Sequence, residues 1–177
     1  MTNFSYSQDF KGVADVFLRS PKTYKPLLQF FENVMLGESE LSKEEREIIA
    51  THVSLINGCH FCVEAHSATL SAMNVDEATI STLKTGTSVA GISDQLNDLL
   101  VFSEKLTRTP AEISRADIDA LKDKGIAEQT VEDTVNVVSA LNYLNRLVDA
   151  FGVEGNPSYF KMVGAALAKN GYAALLP

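Results

Sequence analysis

The sequence predicts an all-α domain of about eight helices, and three observations support this prediction. Signals that begin or end a helix recur along the 177 residues, whereas period-two alternation bounded by hairpin dipeptides is absent. Apolar residues make up 45% of the chain, which is enough to fill one core at this length. The 10 glycines, 5 prolines and 21% charged residues are typical of a globular protein. We therefore expect a single helical domain over 1–177.

Each predicted helix is bounded by a residue type that caps or stops helices. Proline favours the first turn, glycine follows the last turn, and a Ser-x-x-Glu or Ser-x-x-Asp box exchanges hydrogen bonds across the first turn. In chain order, the predicted helices run from Ser20-Pro21 to Leu36 with a stop at Gly37, from the Ser42-x-x-Glu45 box to Asn57-Gly58, from about Cys59 to about Met73, from Asp76 to Gly86, from Ser93 to just before Pro110, from the Ser114-x-x-Asp117 box to Gly125, from about Glu128 to Phe151 with a stop at Gly152, and from Asn156-Pro157 onward.

A weak internal repeat relates the two halves of the chain. Residues 27–45 align without gaps to residues 99–117, with six of nineteen positions identical, and after eleven extra residues 51–66 pairs more loosely with 134–149. A duplication would give copies of about 20–75 and 93–153. Two helix hairpins could equally share a capping box and an apolar face by chance. This alignment pairs the thiol motif with three polar residues, so that Cys59, Cys62 and His66 correspond to Asn142, Asn145 and Asp149.

Composition excludes several classes of function. Fifteen basic against twenty-three acidic residues give a net charge of −8, which argues against a protein that tracks nucleic-acid phosphates or binds anionic membranes. The N-terminal stretch lacks the pattern of a secretory signal, and no window has the ~20 apolar residues of a membrane span. Two cysteines cannot form a disulfide framework. We expect a cytoplasmic protein.

The chemically reactive residues cluster in the Cys-x-x-Cys segment. Both cysteines of the chain, Cys59 and Cys62, lie here with His66. A helix rotates by ~100° per residue, so these three side chains share one face. Cα atoms three residues apart on a helix are roughly 5–5.5 Å apart, within the range of an unstrained disulfide. Such a disulfide closes a very short loop and suits a redox cycle better than a structural crosslink.

Position on the helix suggests how these residues divide the work. Cys59, following Asn57-Gly58, is expected in an exposed first turn, where free amides and the helix dipole favour a thiolate. His66 lies one turn beyond Cys62 and can accept its proton. Glu47, on the preceding helix, could orient that imidazole or complete a proton relay. The helix start alone would favour Cys59 as the thiolate, so the two effects compete. Because only Cys62 has a base at the spacing where side chains meet, we expect Cys62 to be the attacking thiolate and Cys59 the second thiol.

Other interpretations of the motif remain open at this stage. The cysteines could be inert core residues, or Cys59, Cys62 and His66 could bind zinc, with His52 or His60 as the fourth ligand. A thioredoxin-type motif needs a strand before its helix, and the preceding segment is helical. We expect His52 to lie on a helix face and His60 to be an exposed neighbour of the site. His60, Phe61, Asn142 and Asn145 are candidates for a secondary role.

The spacing of these residues resembles that of a known family. Glu47, eleven residues, Cys59-x-x-Cys62, three residues and His66 are similar to the alkylhydroperoxidase D-like (AhpD-like) family of the carboxymuconolactone decarboxylase superfamily, in particular its shorter, peroxidase-related branch. Segments 98–110 and 142–153 also look like that branch, so the resemblance covers about three quarters of the chain. The superfamily's decarboxylases generally lack the two cysteines, so their presence argues against lactone decarboxylation.

The resemblance implies a helical, homo-oligomeric thiol peroxidase without a cofactor. Cys62 would be oxidised by an alkyl hydroperoxide to a sulfenic acid and Cys59 would convert it to the disulfide, which protects it from further oxidation. His66 and Glu47 would relay protons, and a lipoyl or thioredoxin-like dithiol would be the reductant. Peroxidases of this family carry a further histidine immediately before the second cysteine, where this chain has Phe61, and here the histidine is His60.

The longest predicted helix bears a polar face within an apolar run. Asn142, Asn145 and Asp149 share this face, with Arg146 beside them. The favoured interpretation is a hydrogen-bonded seam between helices or subunits, and the alternative is that the face lines the thiol site. By the same logic, we expect Phe61 and Tyr143 to be apolar pocket residues. From about Asp94 onward, we expect scaffold and interface without a second redox centre. Alternatives to a peroxidase are a zinc-stabilised helical module and a non-catalytic dithiol redox sensor.

Overall fold

The computed structural model describes residues 2–85, 89 and 91–175. Within these residues it has nine α-helices, three short 3₁₀ segments and no strand, which confirms the all-α prediction. The helices are α1 (Val13–Arg19), α2 (Pro21–Leu36), α3 (Lys43–Asn57), α4 (His60–Ala72), α5 (Glu77–Thr85), α6 (Asp94–Arg108), α7 (Arg115–Asp123), α8 (Glu128–Phe151) and α9 (Pro157–Asn170).

The predicted caps at Ser42, Asp76, Ser93 and Asn156 form where the sequence places them. The Ser42 hydroxyl accepts a hydrogen bond from the Glu45 amide at 3.1 Å, and the Glu45 carboxylate accepts one from the Ser42 amide at 2.8 Å. Asp76, Ser93 and Asn156 accept from amides in the first turns of α5, α6 and α9. These bonds satisfy amides that would otherwise lack partners. The predicted end at Gly86 lies outside the described residues.

Helix α1 is absent from the sequence prediction. Its N-cap is Gly12, which has no side chain to signal a helix start, and seven residues are too few to show a clear period. The cap is made by Asp15, whose carboxylate accepts hydrogen bonds from the Lys11 and Gly12 amides at 2.7 and 3.1 Å. Val16 and Phe17 are buried, so α1 is fixed by packing as well as by its cap.

Helices α3 and α4 lie at the centre of the packing. Helix α4 packs against α3 and α9, and α3 also packs against α6 and α8. Gly164 allows the close approach of α9 to α4, because a Cβ atom there would lie 2.5 Å from the Ala68 carbonyl carbon. Gly58 ends α3 with φ +72°, a left-handed conformation that favours glycine, and sends the chain directly into α4. Helix α3, which carries Glu47, and the Cys-x-x-Cys segment at the start of α4 are thus adjacent in the core.

The two aligned halves have matching helix boundaries. Helix α2 ends at Leu36 and α3 begins at Lys43, while α6 ends at Arg108 and α7 begins at Arg115, which are aligned positions. Helix α7 is nine residues long and α3 is fifteen. The duplication itself stays a prediction. None of the described helices combines the length and apolar character needed to cross a bilayer.

Candidate functional site

The turn at Gly58 places the two cysteines at the start of α4. Cys59 is the N-cap residue, its amide donates to the Ser54 carbonyl at 3.0 Å, and its carbonyl accepts from the Val63 amide. Cys62 is the third residue of the helix. We expected Cys59 in the first turn of the helix, but it lies one position before that turn. Cys62 is the cysteine inside that turn, where the helix dipole favours a thiolate.

Both thiols are free and buried. Cys59 is 0% exposed and Cys62 is 2% exposed. The expectation that Cys59 is exposed is wrong, because the start of α4 is packed into the hydrophobic core next to α3 and α8. The sequence suggested exposure because helix starts that follow a glycine turn are usually at the surface. Both sulfurs are therefore shielded from bulk solvent in this conformation.

The surroundings of the two thiols separate their acidities. Interaction with the Cys59 thiol lowers the pKa of Cys62, burial raises it, and His66 and the Asn145 side chain lower it again, with a net fall. For Cys59, the interaction with Cys62, burial, the charge of Cys62 and the Asp149 side chain all raise the pKa. The negative charge is therefore favoured on Cys62, with Cys59 as its protonated neighbour.

His66 and Glu47 form a buried ion pair next to Cys62. The Nδ1 atom of His66 lies 2.7 Å from Oε2 of Glu47, and both side chains are buried. Burial lowers the pKa of His66, but the Glu47 carboxylate, through charge and hydrogen bond, and the Cys62 charge raise it, with a net rise. The arrangement favours an imidazolium between a carboxylate and a thiolate. It can supply a proton to a group that reacts at Cys62.

Tyr172 joins this pair from the C-terminal segment that follows α9, and the sequence analysis did not find it. Its hydroxyl donates to Oε1 of Glu47 at 2.5 Å, across a separation of 125 residues along the chain. The ring is 2% exposed and stacks on Phe31, with centroids 5.9 Å apart. No local pattern marks a tyrosine as the partner of a distant carboxylate. In the sequence, Tyr172 is only a lone aromatic residue after the helix-ending Gly171. Such a residue predicts packing against the core, not a hydrogen bond to a particular carboxylate.

A small apolar cavity of about 30 Å³ adjoins the thiol of Cys62 and the imidazole of His66. Its volume is about that of one or two water molecules. Phe61 is part of its wall and also packs edge-to-face against Phe160. The prediction for Tyr143 is wrong, since this side chain is 46% exposed on the outer side of α8. The other lining residues come from α1, α2, α4, α8, α9 and the C-terminal segment: Val13, Phe17, Leu28, Phe31, Ala65, Leu144, Val148, Val163, Leu167, Tyr172 and Leu175.

The polar face of α8 serves both as a seam and as part of the site. Asn145 is fully buried, donates to the Ser54 hydroxyl at 3.0 Å and accepts from the Asn57 amide at 2.8 Å, which ties α8 to α3. It also interacts with Cys62. Asn142 accepts from Asn57 and Arg146 and donates to the Thr107 hydroxyl and the Val138 carbonyl. Asn142 thus belongs to the seam between α3 and α8, whereas Asn145 belongs both to this seam and to the thiol site.

Asp149 is the third member of this face. Its carboxylate interacts with the Cys59 thiol and borders a surface pocket. The exposed His60 borders the same pocket, on the outside of α4, and does not line the apolar cavity. Asp149 is therefore a solvent-exposed carboxylate that interacts with Cys59.

The remaining histidine, His52, is remote from the thiols. It lies half-buried on α3 near Glu104 and Arg108 of α6, and burial lowers its pKa. Among the described residues, no group of three or more His, Cys, Asp or Glu side chains is arranged to hold a metal ion.

Comparison with known proteins agrees with the resemblance. Residues 21–101 match the model of the carboxymuconolactone decarboxylase family. A solved structure of an uncharacterised peroxidase-related protein from Silicibacter sp. TM1040 is 32% identical and superposes with a TM-score of 0.78, covering 84% of this chain and 78% of that one.

Curated relatives match shorter stretches of this chain. The alkyl hydroperoxide reductase AhpD of Rhodococcus erythropolis is 35% identical over 96 residues, which is 50% of this chain and 54% of that protein. This chain thus matches only about half the length of that relative. The uncharacterised protein YdfG of Bacillus subtilis is 26% identical over 115 residues, which is 65% of this chain and 78% of YdfG.

Proposed function

The chain belongs to the AhpD-like carboxymuconolactone decarboxylase family, and from this premise we propose that it is a cysteine-based peroxidase that reduces alkyl hydroperoxides. The observation that carries the proposal is the buried His66–Glu47 pair beside a thiol whose pKa is lowered. An activated thiolate with a proton donor and a second thiol beside it suits peroxide reduction through a disulfide.

In the first step, the Cys62 thiolate attacks the terminal oxygen of the hydroperoxide. The S–O bond forms, the O–O bond breaks, and the alkoxide takes a proton from the His66 imidazolium to leave as alcohol. Sulfur loses two electrons and becomes a sulfenic acid. Glu47 holds the imidazole by its Nδ1 atom, so that Nε2 is free to face the reacting groups.

In the second step, Cys59 attacks the sulfur of the Cys62 sulfenic acid. The S–S bond forms and the S–O bond breaks, and the proton that Cys59 gives up ends on the leaving hydroxide as water. Asp149 is the carboxylate beside Cys59 that can accept this proton in passing. The two cysteines are three residues apart at the helix start, so disulfide formation needs little backbone movement.

An external dithiol completes the cycle. It transfers two electrons and two protons to the disulfide and becomes a disulfide itself. By family resemblance, we propose a lipoyl or thioredoxin-like dithiol as reductant. We also propose that the protein acts as a homo-oligomer, because several large apolar side chains are exposed, among them Leu18, Phe30, Val101 and Met162.

Steady-state turnover tests the proposal directly. Purified protein is supplied with cumene hydroperoxide and dithiothreitol, and alcohol production is followed. We expect many turnovers per chain for the unaltered protein and loss of turnover in Cys62→Ser and Cys59→Ser. His66→Gln should be strongly impaired, whereas its matched control His52→Gln should retain activity, because His52 lies away from the thiols.

The same preparation separates the alternatives. A redox sensor would be oxidised once per chain and then stop, even with excess dithiothreitol. A zinc-stabilised module would hold one metal ion per chain with thiols that do not react. Either result would contradict the peroxidase proposal.

A further inference from the structure

Tyr172 reaches the buried Glu47–His66 pair from the far end of the chain. Its hydroxyl donates to one oxygen of the Glu47 carboxylate, and Nδ1 of His66 bonds the other. Each Glu47 oxygen thus has a hydrogen-bond donor of its own. The ionisable groups that act on Tyr172 are Glu47 on α3, Cys62 on α4 and Glu32 on α2. His66 on α4 lines the same cavity as Tyr172.

The tyrosine is held in place by contacts on both sides. The Ala173 amide donates to the Glu32 carboxylate at 3.0 Å. Gly171 adopts φ +77°, and a Cβ atom there would lie 2.5 Å from both Glu32 carboxylate oxygens. The ring of Tyr172 stacks on Phe31 of α2. The C-terminal segment therefore presents the hydroxyl in one defined position, anchored on α2.

The hydroxyl acts in this position as a donor. Burial raises the pKa of Tyr172 well above its usual value, and the Glu47 charge raises it further, so the hydroxyl stays protonated. A donor to a carboxylate stabilises its charged form. The hydroxyl therefore holds the Glu47 carboxylate against His66, where it raises the pKa of the imidazole, and His66 in turn lowers the pKa of Cys62.

We propose that Tyr172 is a positioning residue of the peroxidase site, whose hydroxyl holds the Glu47 carboxylate in place against His66 and so supports the reactivity of Cys62. The biological role of this effect rests on the proposed peroxidase function. The effect of the hydroxyl on Cys62 itself does not, because it is present without any hydroperoxide. The C-terminal segment thus contributes to reactivity besides covering the cavity.

The test is a pH titration of Cys62 reactivity. In a Cys59→Ser background, where Cys62 is the remaining thiol, its alkylation rate by iodoacetamide is measured from pH 4 to pH 10 with and without Tyr172→Phe. We expect the midpoint to rise by about one pH unit in Tyr172→Phe, since a hydrogen bond to a buried charge is lost. Below the midpoint, this corresponds to roughly a tenfold fall in rate at fixed pH.

Two further variants distinguish the hydroxyl from the ring. Tyr172→Leu removes both, so it should melt at a lower temperature than Tyr172→Phe but show the same titration midpoint. Tyr143→Phe, an exposed tyrosine on the outer side of α8, should leave the midpoint unchanged. An unchanged midpoint in Tyr172→Phe overturns the proposal, and so does a shift that appears in Tyr172→Leu alone. If the protein proved unable to turn over hydroperoxide, the titration shift would still stand and only the proposed function would fail.

Discussion

The start of α4 and the polar face of α8 both contain buried polar groups, yet the two regions use them differently. On α8, the amides of Asn142 and Asn145 are paired with α3 and α6 side chains and with the backbone of α8 itself. On α4, the Cys62 thiol and His66 adjoin a cavity. These regions occupy aligned positions of the weak sequence repeat, namely Cys59, Cys62 and His66 opposite Asn142, Asn145 and Asp149.

The difference shows how one helical scaffold assigns helix packing to one region and chemical reactivity to another. Fully paired amides fix the distance between α3 and α8 because an unpaired amide inside the core would be costly. The thiol and imidazole groups of α4 can then face a cavity without loosening the packing. Asn145 connects the two regions, since it bonds Ser54 and Asn57 and also interacts with Cys62.

Removing the imidazole should have the largest effect on the reactive region. We expect His66→Ala to slow the oxidation of Cys62 by cumene hydroperoxide by about 100-fold or more, because both the stabilising charge and the proton donor are lost. Exchange between the disulfide and dithiothreitol should slow much less. Stopped-flow measurement of both steps checks this expectation. Equal slowing of the two steps would mean that His66 does not serve the peroxide step in particular.

The lowered pKa of Cys62 gives the pH dependence a definite sign. Because the thiolate is favoured, Cys62 should react with iodoacetamide at pH values below the usual thiol range and lose reactivity as the pH falls through its lowered pKa. Cys59, whose pKa is raised, should stay unreactive over the same range. Peptide mapping after alkylation at pH 6 reports both sites. Preferential labelling of Cys59 would reverse the assignment of the charge.

Substitutions in the seam between α3 and α8 should mainly lower the free energy of unfolding. Asn145→Ala removes the buried hydrogen bonds to Ser54 and from Asn57, although Ser54 still donates to the Ala50 carbonyl and Asn57 to Asn142. We therefore expect a loss of about 1–3 kcal/mol in the free energy of unfolding. Its contact with Cys62 predicts a smaller rise in the midpoint of Cys62 alkylation. Denaturant unfolding and the alkylation titration measure the two effects separately. Complete loss of thiol oxidation in folded Asn145→Ala would show that α8 is more than scaffold.

Asn142→Ala is the matched control on the same face and should have the smallest effect. Asn142 is partly exposed and bonds Asn57, Thr107 and Arg146, but it does not contact the thiols. We expect a loss of about 1 kcal/mol or less in unfolding free energy and an unchanged Cys62 titration. A shift of that titration as large as in Asn145→Ala would mean that general loosening of the seam, and not contact with Cys62, controls the thiol.

Local sequence signals predicted most of the helical framework and the reactive motif. Caps such as Ser42 with Glu45 act within one turn, so the sequence shows them directly. The spacing of Cys59, Cys62 and His66 likewise depends only on helical geometry. Helix α1 was missed because its cap residue is a glycine and its stabilising contacts are tertiary.

Features that depend on distant contacts could not be predicted. The burial of Cys59 depends on how α8 packs over the start of α4. The bond from Tyr172 to Glu47 joins residues 125 positions apart, and no local pattern encodes it. Tyr143 was misplaced because it sits about 100° around α8 from its neighbour Asn142, on the outer side. In each case, tertiary packing decided the outcome.

The location of the first oxidised sulfur tests the central claim most directly. Each protein is treated with one equivalent of cumene hydroperoxide in the presence of dimedone, which traps sulfenic acids, and the adduct is located by mass spectrometry. The account predicts an adduct at residue 62 in Cys59→Ser, a disulfide in the unaltered protein, and no adduct in Cys62→Ser. An adduct at Cys59 in Cys62→Ser, formed at near the unaltered rate, would contradict it.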